Sequence, residues 1–200
     1  SVDRDDLPDA GAGHFARVIG ALHQLARPVA VEVLTPDFRG VPEALEIVLG
    51  AVPEIFSHNM ETVPRLYRTA RPGSRYERSL DLLRAAAQRR DVGRFPGRVK
   101  TGIMVGLGET TAEVHATMTD IRQTGVEILT IGQYLQPSSD HLPVERWVHP
   151  DEFASYRDHA RELGFAHCEA GPLVRSSYHA HEQVMKAVEG GAGSASDAAS

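Results

Sequence analysis

The 200-residue sequence contains a single cysteine, Cys168, and only 6% aromatic residues. One thiol cannot form an internal disulfide, and an iron–sulfur cluster normally takes three or four cysteine ligands. The sequence therefore carries no self-sufficient cluster site. Its 42% hydrophobic residues are enough for one ordinary core, so we expect a single domain.

Features of membrane proteins and nucleic-acid-binding proteins are also missing. No apolar run approaches the roughly 18 residues of a membrane span, and no basic segment followed by an apolar one begins the sequence. The net charge is −6, and the basic residues are scattered rather than grouped in one stripe. We therefore expect a cytoplasmic protein that binds neither a membrane nor a nucleic acid.

Two common hydrolase patterns are absent as well. The serines at 176 and 177 lack the Gly-x-Ser-x-Gly turn of α/β-hydrolases. The ten histidines include no pair four residues apart around a glutamate, the pattern of many zinc peptidases. His58 is more simply a hydrogen-bonded structural histidine than a metal ligand. Lys100 starts its predicted strand instead of ending it, which disfavours a Schiff-base enzyme.

Short β-branched segments alternate with longer segments of helical periodicity along the sequence. The predicted strands are residues 29–34, 54–57, 99–105, 128–134 and 165–168, and the predicted helices are residues 13–26, 42–52, 74–89, 111–124 and 151–163. A Thr-Thr-x-Glu segment at the start of the fourth helix resembles a capping box. The alternation predicts an α/β fold with a parallel sheet, either a barrel or a doubly wound sheet.

Polar residues and glycines follow the predicted strands, at the edge where parallel α/β proteins bind ligands. They occupy residues 35–37, 58–62, 106–110 and 133–138. Each group also has a structural explanation. Residues 58–62 could cap a helix that starts at Pro64, residues 106–110 could form a tight strand–helix turn, and residues 133–137 could anchor a loop. Residues 175–178, Arg-Ser-Ser-Tyr, could be a polar turn.

The residue types at these strand ends suit a polar ligand. Gly106 and Gly108 allow the backbone to approach a ligand closely, just before a helix N-terminus that favours anionic or polar groups. The Asn59 amide offers both a donor and an acceptor, and Glu61 can accept from an ammonium group or a ribose hydroxyl.

Five strings, in this order and spacing, resemble the lipoyl synthases. They are residues 31–38 (VEVLTPDF), 58–67 (HNMETVPRLY), 104–110 (MVGLGET), 131–138 (IGQYLQPS) and 171–178 (GPLVRSSY). The similarity runs from residue 1 to about residue 180. It implies a radical S-adenosylmethionine (SAM) enzyme with a partial (β/α)6 barrel of the TIM type. The first strands of that barrel are expected to be missing from this sequence. Residues 1–183 would form this incomplete barrel, and residues 184–200 a short helix end and a disordered tail.

The resemblance also implies a reaction and its cofactors. Lipoyl synthases use SAM and two [4Fe–4S] clusters, one of which sits on a Cys-x3-Cys-x2-Cys loop and cleaves SAM. The other cluster is consumed to place two sulfur atoms at carbons 6 and 8 of an octanoyl group. That group is attached to a lipoyl-carrier protein, either a lipoyl domain or the glycine cleavage H protein. An electron donor such as ferredoxin or flavodoxin completes the reaction.

Individual residues follow from the resemblance. The strand ends that would hold SAM carry Asn59, Glu61, Gly106, Gly108, Glu109, Gln133 and Tyr134. Ser176 or Ser177 would be the oxygen ligand of the consumed cluster. We favour Ser177, which with Arg175 we assign as catalytic. Arg175 would orient that segment or neutralise the charge of the cluster.

The sequence departs from the family because two cysteine motifs are absent, the Cys-x3-Cys-x2-Cys loop and the Cys-x4-Cys-x5-Cys motif that holds the consumed cluster in the family. Cys168 belongs to neither. Three interpretations stay open. The first is part of a lipoyl synthase, a sulfurtransferase that is inactive as this chain alone. The second is a non-catalytic module that binds SAM or the octanoylated carrier. The third is a non-radical, aldolase-like barrel.

Overall fold

The fold is that of a computed structural model, which describes residues 4, 6–27 and 29–175. Five strands lie within these ranges: β1 (Glu32–Leu34), β2 (Ile55–Ser57), β3 (Arg98–Val105), β4 (Ile128–Gln133) and β5 (His167–Gly171). The α-helices there are α1 (Ala12–His23), α2 (Pro42–Gly50), α3 (Pro64–Ala70), α4 (Tyr76–Asp91), α5 (Thr111–Gln123) and α6 (Pro150–Glu162), and one 3-10 turn spans Phe38–Gly40. None of the helices within the described ranges is both long enough and apolar enough to cross a membrane.

The five strands form one parallel sheet in which spatial order follows chain order, β1-β2-β3-β4-β5. A doubly wound sheet reverses its strand order at one point, whereas a barrel adds each strand beside the one before it. The α/β prediction is therefore confirmed, and the strand order is that of a partial barrel.

The two faces of the sheet differ in character because alternate residues of a strand point to opposite sides. On β3, Val99, Ile103 and Val105 belong to the hydrophobic core, where they join helix residues such as Leu83, Val114 and Phe153. Lys100, Gly102 and Met104 lie on the other face, where fully buried Lys100 pairs with Glu32 of β1 at 3.0 Å. The helices thus cover one face, and the other is a polar barrel interior.

The predicted capping box at the start of α5 is confirmed. The Glu113 backbone N–H donates to the Thr110 hydroxyl at 3.2 Å, and the Thr110 N–H donates to the Glu113 carboxylate at 2.8 Å. These bonds satisfy two amides that a helix N-terminus leaves without intrahelical partners. They also fix the point where the chain leaves the glycine-rich loop at residues 106–109.

The elements differ from the predictions in a few places. β1 begins at Glu32 rather than at residue 29, because it pairs with β2 over only three positions. β5 begins two residues later than predicted, at His167, and continues to Gly171. The helix α3 was not predicted as an element, although Pro64 at its first turn fits the helix-cap alternative for residues 58–62. The predicted tail at residues 184–200 lies outside the described residues.

Candidate functional site

A cavity of about 200 Å³ lies on the polar face of the sheet, near the carboxyl ends of the central strands. Its lining comes from the segment after β2, from β3 and β4, and from the segment after β5: Asn59, Glu61, Gly102, Ile103, Met104, Thr130, Gly132, Gln133, Leu135, Val174 and Arg175. The fold therefore brings together four residues of the predicted site, Asn59, Glu61, Gln133 and Arg175, from distant parts of the sequence.

Two glycines make room for this cavity. A Cβ atom at Gly102 would lie 2.7 Å from the Thr130 hydroxyl and 3.0 Å from Asn59 Oδ1. A Cβ atom at Gly132 would overlap the Val174 carbonyl oxygen and lie 3.5 Å from Arg175 Nη1. Any larger residue at either position would displace polar groups that line the cavity.

The side chain of Asn59 is incompletely bonded. Its Oδ1 atom is buried and has no hydrogen-bond partner among the described residues. Buried polar atoms in folded proteins are nearly always bonded, so an unpaired one at a cavity wall indicates where a ligand or water binds. The free acceptor at Asn59 suits a hydroxyl or an N–H group.

Glu61 lies beside Asn59 with its carboxyl group in a poorly solvated position. Burial raises the pKa of Glu61, while the positive charge of Arg71 and a hydrogen bond from Asn59 act in the opposite direction. A ligand that presents a positive charge or hydroxyl donors would compensate the carboxylate for its lost hydration.

The backbone of Glu61 adopts an unusual conformation. Its φ of 68° lies in the left-handed region, which non-glycine residues seldom adopt. The Glu61 N–H donates to the Gly102 carbonyl at 3.0 Å, and the Glu61 carbonyl accepts from the Met104 N–H at 2.7 Å. These two bonds attach the residue to β3 and hold its side chain at the cavity, a pattern typical of functional sites.

Arg71 links the segment that contains Asn59 and Glu61 to the helix α3. This role of Arg71 was not predicted. Its Nη1 atom donates to the Asn59 carbonyl at 2.8 Å and to the Tyr67 hydroxyl at 3.0 Å. The guanidinium group thus fixes the backbone next to Glu61 from outside the sheet.

The glycine-rich loop lies at the rim, by which we mean the edge of the sheet formed by the carboxyl ends of the strands. It is not part of the cavity lining. The Glu109 carboxylate accepts from the backbone N–H groups of Gly106, at 2.6 Å, and Leu107, at 2.9 Å. The Gly108 carbonyl accepts from Arg65 at 2.8 Å. Gly106, Gly108 and Glu109 therefore shape the loop itself, and direct contact of these residues with a ligand stays a prediction.

Gln133 and Tyr134 fix the loop that follows β4. The Gln133 amide donates to the Tyr134 and Arg146 carbonyls, both at 3.1 Å, and accepts from the Val148 N–H at 2.9 Å. The Tyr134 hydroxyl donates to the Leu142 carbonyl at 2.9 Å. These bonds favour the loop-anchoring explanation for both side chains, and their direct ligand contacts stay predictions.

Arg175 lines the cavity, and its Nη1 atom donates to the Val174 carbonyl at 2.7 Å. Ser176 and Ser177 lie outside the described residues, so the assignment of Ser177 as a cluster ligand stays a prediction.

His58 is a structural residue, as predicted. The ring is fully buried, with Nδ1 2.9 Å from the Thr35 carbonyl oxygen and Nε2 2.9 Å from the Ser79 hydroxyl. Burial, reinforced by the charge of Arg71, lowers the pKa of His58 to about 4. A neutral ring with both nitrogens engaged is unavailable as a metal ligand.

The described residues do not fit an iron–sulfur cluster. Within those ranges no group of three or more His, Cys, Asp or Glu side chains could hold a metal ion. Cys168 lies on the helix-covered face of β5, and burial, together with the nearby charge of Glu169, raises the pKa of its thiol to about 12. The thiol therefore lies on the face of the sheet opposite the cavity.

A second depression, a groove of about 470 Å³, lies between α2 and α4. Two arginines in its lining already have carboxylate partners. Arg78 pairs with Asp37 and Arg89 pairs with Glu46, both at 2.6 Å. We therefore place the candidate site at the smaller cavity, whose lining includes Asn59 with its unpaired, buried Oδ1.

Residues missed by the sequence analysis share one pattern. Gly102, Thr130 and Gly132 are small or polar residues that alternate with buried residues of the core face on β3 and β4. Small residues at such positions indicate a close approach of a ligand or of another segment. This alternation was the available signal for them.

Comparison with known proteins agrees with this geometry. The family model of the radical SAM superfamily matches residues 2–121. The chain belongs to the radical SAM superfamily. It is 53% identical over 96% of its length to the lipoyl synthase of Rubrobacter xylanophilus, of which it covers 59%. It is also 55% identical over 92% of its length to the lipoyl synthase of Janthinobacterium sp. (strain Marseille), of which it covers 54%.

The resemblance that the five strings carry is therefore confirmed, and this radical SAM protein spans little more than half the length of the curated relatives it matches. A solved structure from Burkholderia cenocepacia J2315, named as a phosphonomutase, has a related fold. It aligns with a TM-score of 0.50 and 12% identity, over 93% of this chain and 76% of that one. At this identity the similarity concerns the fold alone.

Proposed function

We propose that this chain forms the SAM-binding part of a lipoyl synthase. The complete enzyme would insert two sulfur atoms at carbons 6 and 8 of an octanoyl group on a lipoyl-carrier protein, with electrons from a ferredoxin or flavodoxin. One observation carries the proposal: the unpaired Asn59 Oδ1 and the poorly solvated Glu61 carboxyl share a cavity at the strand ends of a chain 52–56% identical to lipoyl synthases.

The cavity chemistry fits the polar parts of SAM. A ribose diol can donate to Asn59 Oδ1 and to the Glu61 carboxylate, and the positive charge of SAM favours the ionised form of that carboxyl. Gly102 and Gly132 let a sugar or base approach the strand backbone. When bound, SAM would accept an electron from a cluster of the complete enzyme and so supply the adenosyl radical chemistry of the superfamily. The residues of this chain bind it and orient it.

The size of the cavity supports a partial site. Its volume of about 200 Å³ is below the roughly 300–1,000 Å³ of typical small-molecule pockets. It would therefore enclose only part of a SAM molecule, and the remaining contacts would come from residues beyond those described here. The thiolates of both clusters would also have to come from another part of the enzyme, because the single cysteine of this chain does not fit that role.

A non-catalytic SAM-binding or carrier-binding role is the second candidate. It is favoured by the lack of any metal-binding group of three or more His, Cys, Asp or Glu side chains within the described ranges. The cavity and its polar groups would be the same in both cases. The two candidates therefore share the prediction that this chain binds SAM.

Replacing Asn59 by alanine tests the shared prediction. The variant also loses the hydrogen bond that Asn59 donates to Glu61, so its free energy of unfolding is measured alongside its SAM affinity. The loss of a neutral hydrogen bond to the ligand, about 1 kcal/mol, should weaken SAM binding roughly fivefold. Calorimetric titration with SAM measures this change.

Gln136→Ala is the matched control for this experiment. Gln136 is an exposed amide that donates to the His141 carbonyl at 3.0 Å, outside the cavity lining. This variant should bind SAM like the original chain. Equal SAM affinities in the Asn59→Ala and original chains would reject the proposed site.

A further inference from the structure

The segment from the start of α3 to the first turn of α4 is strongly basic. Residues 65–78 include five arginines and one acidic residue, Glu77, in a chain whose net charge is −6. The arginines are Arg65, Arg68, Arg71, Arg75 and Arg78. This segment follows β2, so it lies on the side of the sheet where the strands end and where the candidate site is found.

Three of these arginines have partners within the protein. Arg65 pairs with Glu113 at 2.7 Å, and Arg78 pairs with Asp37 at 2.6 Å. Arg71 donates to the Asn59 carbonyl at 2.8 Å. The charge of these side chains serves the internal structure of the rim.

Arg68 and Arg75 differ from the other three. Both are exposed, and among the described residues neither side chain has a hydrogen-bond or ion-pair partner. They line one surface depression of about 580 Å³, together with Pro72, Gly73 and Ser74. Two guanidinium groups that serve no internal contact present an uncompensated positive charge to an approaching molecule.

The depression belongs to the segment that follows the cavity-wall residues Asn59 and Glu61 in the chain. Arg71 lies between Arg68 and Arg75 in the sequence, and its guanidinium group bonds to the backbone of Asn59 in the cavity wall. A macromolecule seated on Arg68 and Arg75 would therefore contact the same segment whose Arg71 holds the backbone of the cavity wall.

We propose that Arg68 and Arg75 form a docking surface for the acidic face of the protein that carries the octanoyl group. This inference rests on the proposed function, because it assigns the partner of the same site. An acyl group on a lysine side chain reaches the cavity only if the carrier sits at the rim. Exposed arginines steer and orient an acidic partner through long-range attraction and carboxylate contacts.

The experiment compares two charge-reversed double variants of this chain. Arg68→Glu with Arg75→Glu alters the proposed surface. Arg27→Glu with Arg94→Glu makes the same charge change at exposed positions just before β1 and near the start of β3, at the opposite end of the sheet. Binding of the octanoylated carrier domain, of SAM and of inorganic phosphate is measured by calorimetry at low and moderate salt, with thermal melts to verify folding.

The proposal predicts that reversal at 68 and 75 weakens carrier binding roughly tenfold. It also predicts that this reversal reduces the salt dependence of carrier binding and leaves SAM binding unchanged. The control variant should not show these effects.

Equal carrier affinity in the two variants would overturn the docking surface, and so would an original chain that does not bind the carrier. Loss of phosphate binding with unchanged carrier binding would identify a small-anion site and also overturn it. If the original chain binds the carrier through these arginines but does not bind SAM, the proposed function fails and the docking surface stands.

Discussion

His58 lies next to the candidate-site residues Asn59 and Glu61, yet its ring serves the fold. It connects the end of β1 to α4 through the Thr35 carbonyl and the Ser79 hydroxyl. Because the ring is buried and neutral, the folded protein resists its protonation, and its pKa falls to about 4. The unfolded chain takes up the same proton near the ordinary histidine pKa of about 6.5.

This difference predicts an acid-sensitive fold. With the folded pKa depressed, the contribution of His58 to stability is complete above about pH 6.5 and is lost as the pH falls toward 4. Between pH 7 and pH 5 the free energy of unfolding should fall by about 2 kcal/mol from this residue alone. Urea unfolding at the two pH values measures the change.

His58→Gln separates this contribution from those of other groups. An amide can bond to the same two partners without titrating, so the variant should lose less stability between pH 7 and pH 5. An identical pH dependence in both proteins would contradict the assignment of a buried, neutral ring.

Residue chemistry could be predicted from the sequence, but bonding partners could not. The amide of Asn59 and that of Gln133 looked equally suited to a ligand. In the structure one keeps an unpaired oxygen, while the other is bonded to the backbone at residues 134, 146 and 148. The course of the loop after β4 decides this difference, and no local pattern in the sequence encodes it.

At the scale of elements, the loop between β3 and α5 is the most constrained connection at the rim. The Glu109 carboxylate accepts a hydrogen bond from the Gly106 N–H inside the loop. Arg65 of α3 donates to both the Gly108 carbonyl and the Glu113 carboxylate. The Gly106 φ of 103° is accessible to glycine but strained for other residues. The loop is therefore held by its own side chains before any ligand binds.

Gly106→Ala should be markedly destabilising. The new Cβ would overlap the Gln133 amide and lie 2.7 Å from the Arg146 carbonyl oxygen. Backbone strain and overpacking together should lower the free energy of unfolding by about 2–4 kcal/mol. Chemical denaturation measures this loss.

Gly93→Ala is the control for backbone strain alone. Gly93 also has a positive φ, 73°, but a Cβ there meets no atom within 4 Å. Its replacement should cost only about 1 kcal/mol. Equal losses at Gly93 and Gly106 would show that crowding against Gln133 does not matter.

Elements with strong local signals were predicted well. Periodicity identified the long helices, and the capping box identified the start of α5. The helix α3 was missed because seven residues are too few for a clear helical period. β1 was predicted too long because β-branched residues continue before Glu32, whereas pairing with β2 alone sets its length.

For the whole molecule, the decisive feature is the contrast between the two faces of the sheet. The apolar face packs under the helices, and the polar face holds the Lys100–Glu32 pair and the cavity. The sequence predicted a parallel sheet but allowed either a barrel or a doubly wound fold. Strand order depends on long-range pairing, so the residues alone left this open, and the family resemblance favoured the barrel.

If the proposed site is right, the adenosyl part of SAM binds in the cavity beside Asn59 and Glu61. The most direct measurement is a titration of the isotope-labelled chain with S-adenosylhomocysteine, a stable analogue, followed through the backbone amide NMR signals. Saturable shifts are expected, centred on Asn59, Glu61, Gly102 and Thr130. Shifts confined to the groove between α2 and α4, or no saturable shifts at all, would contradict the proposed site.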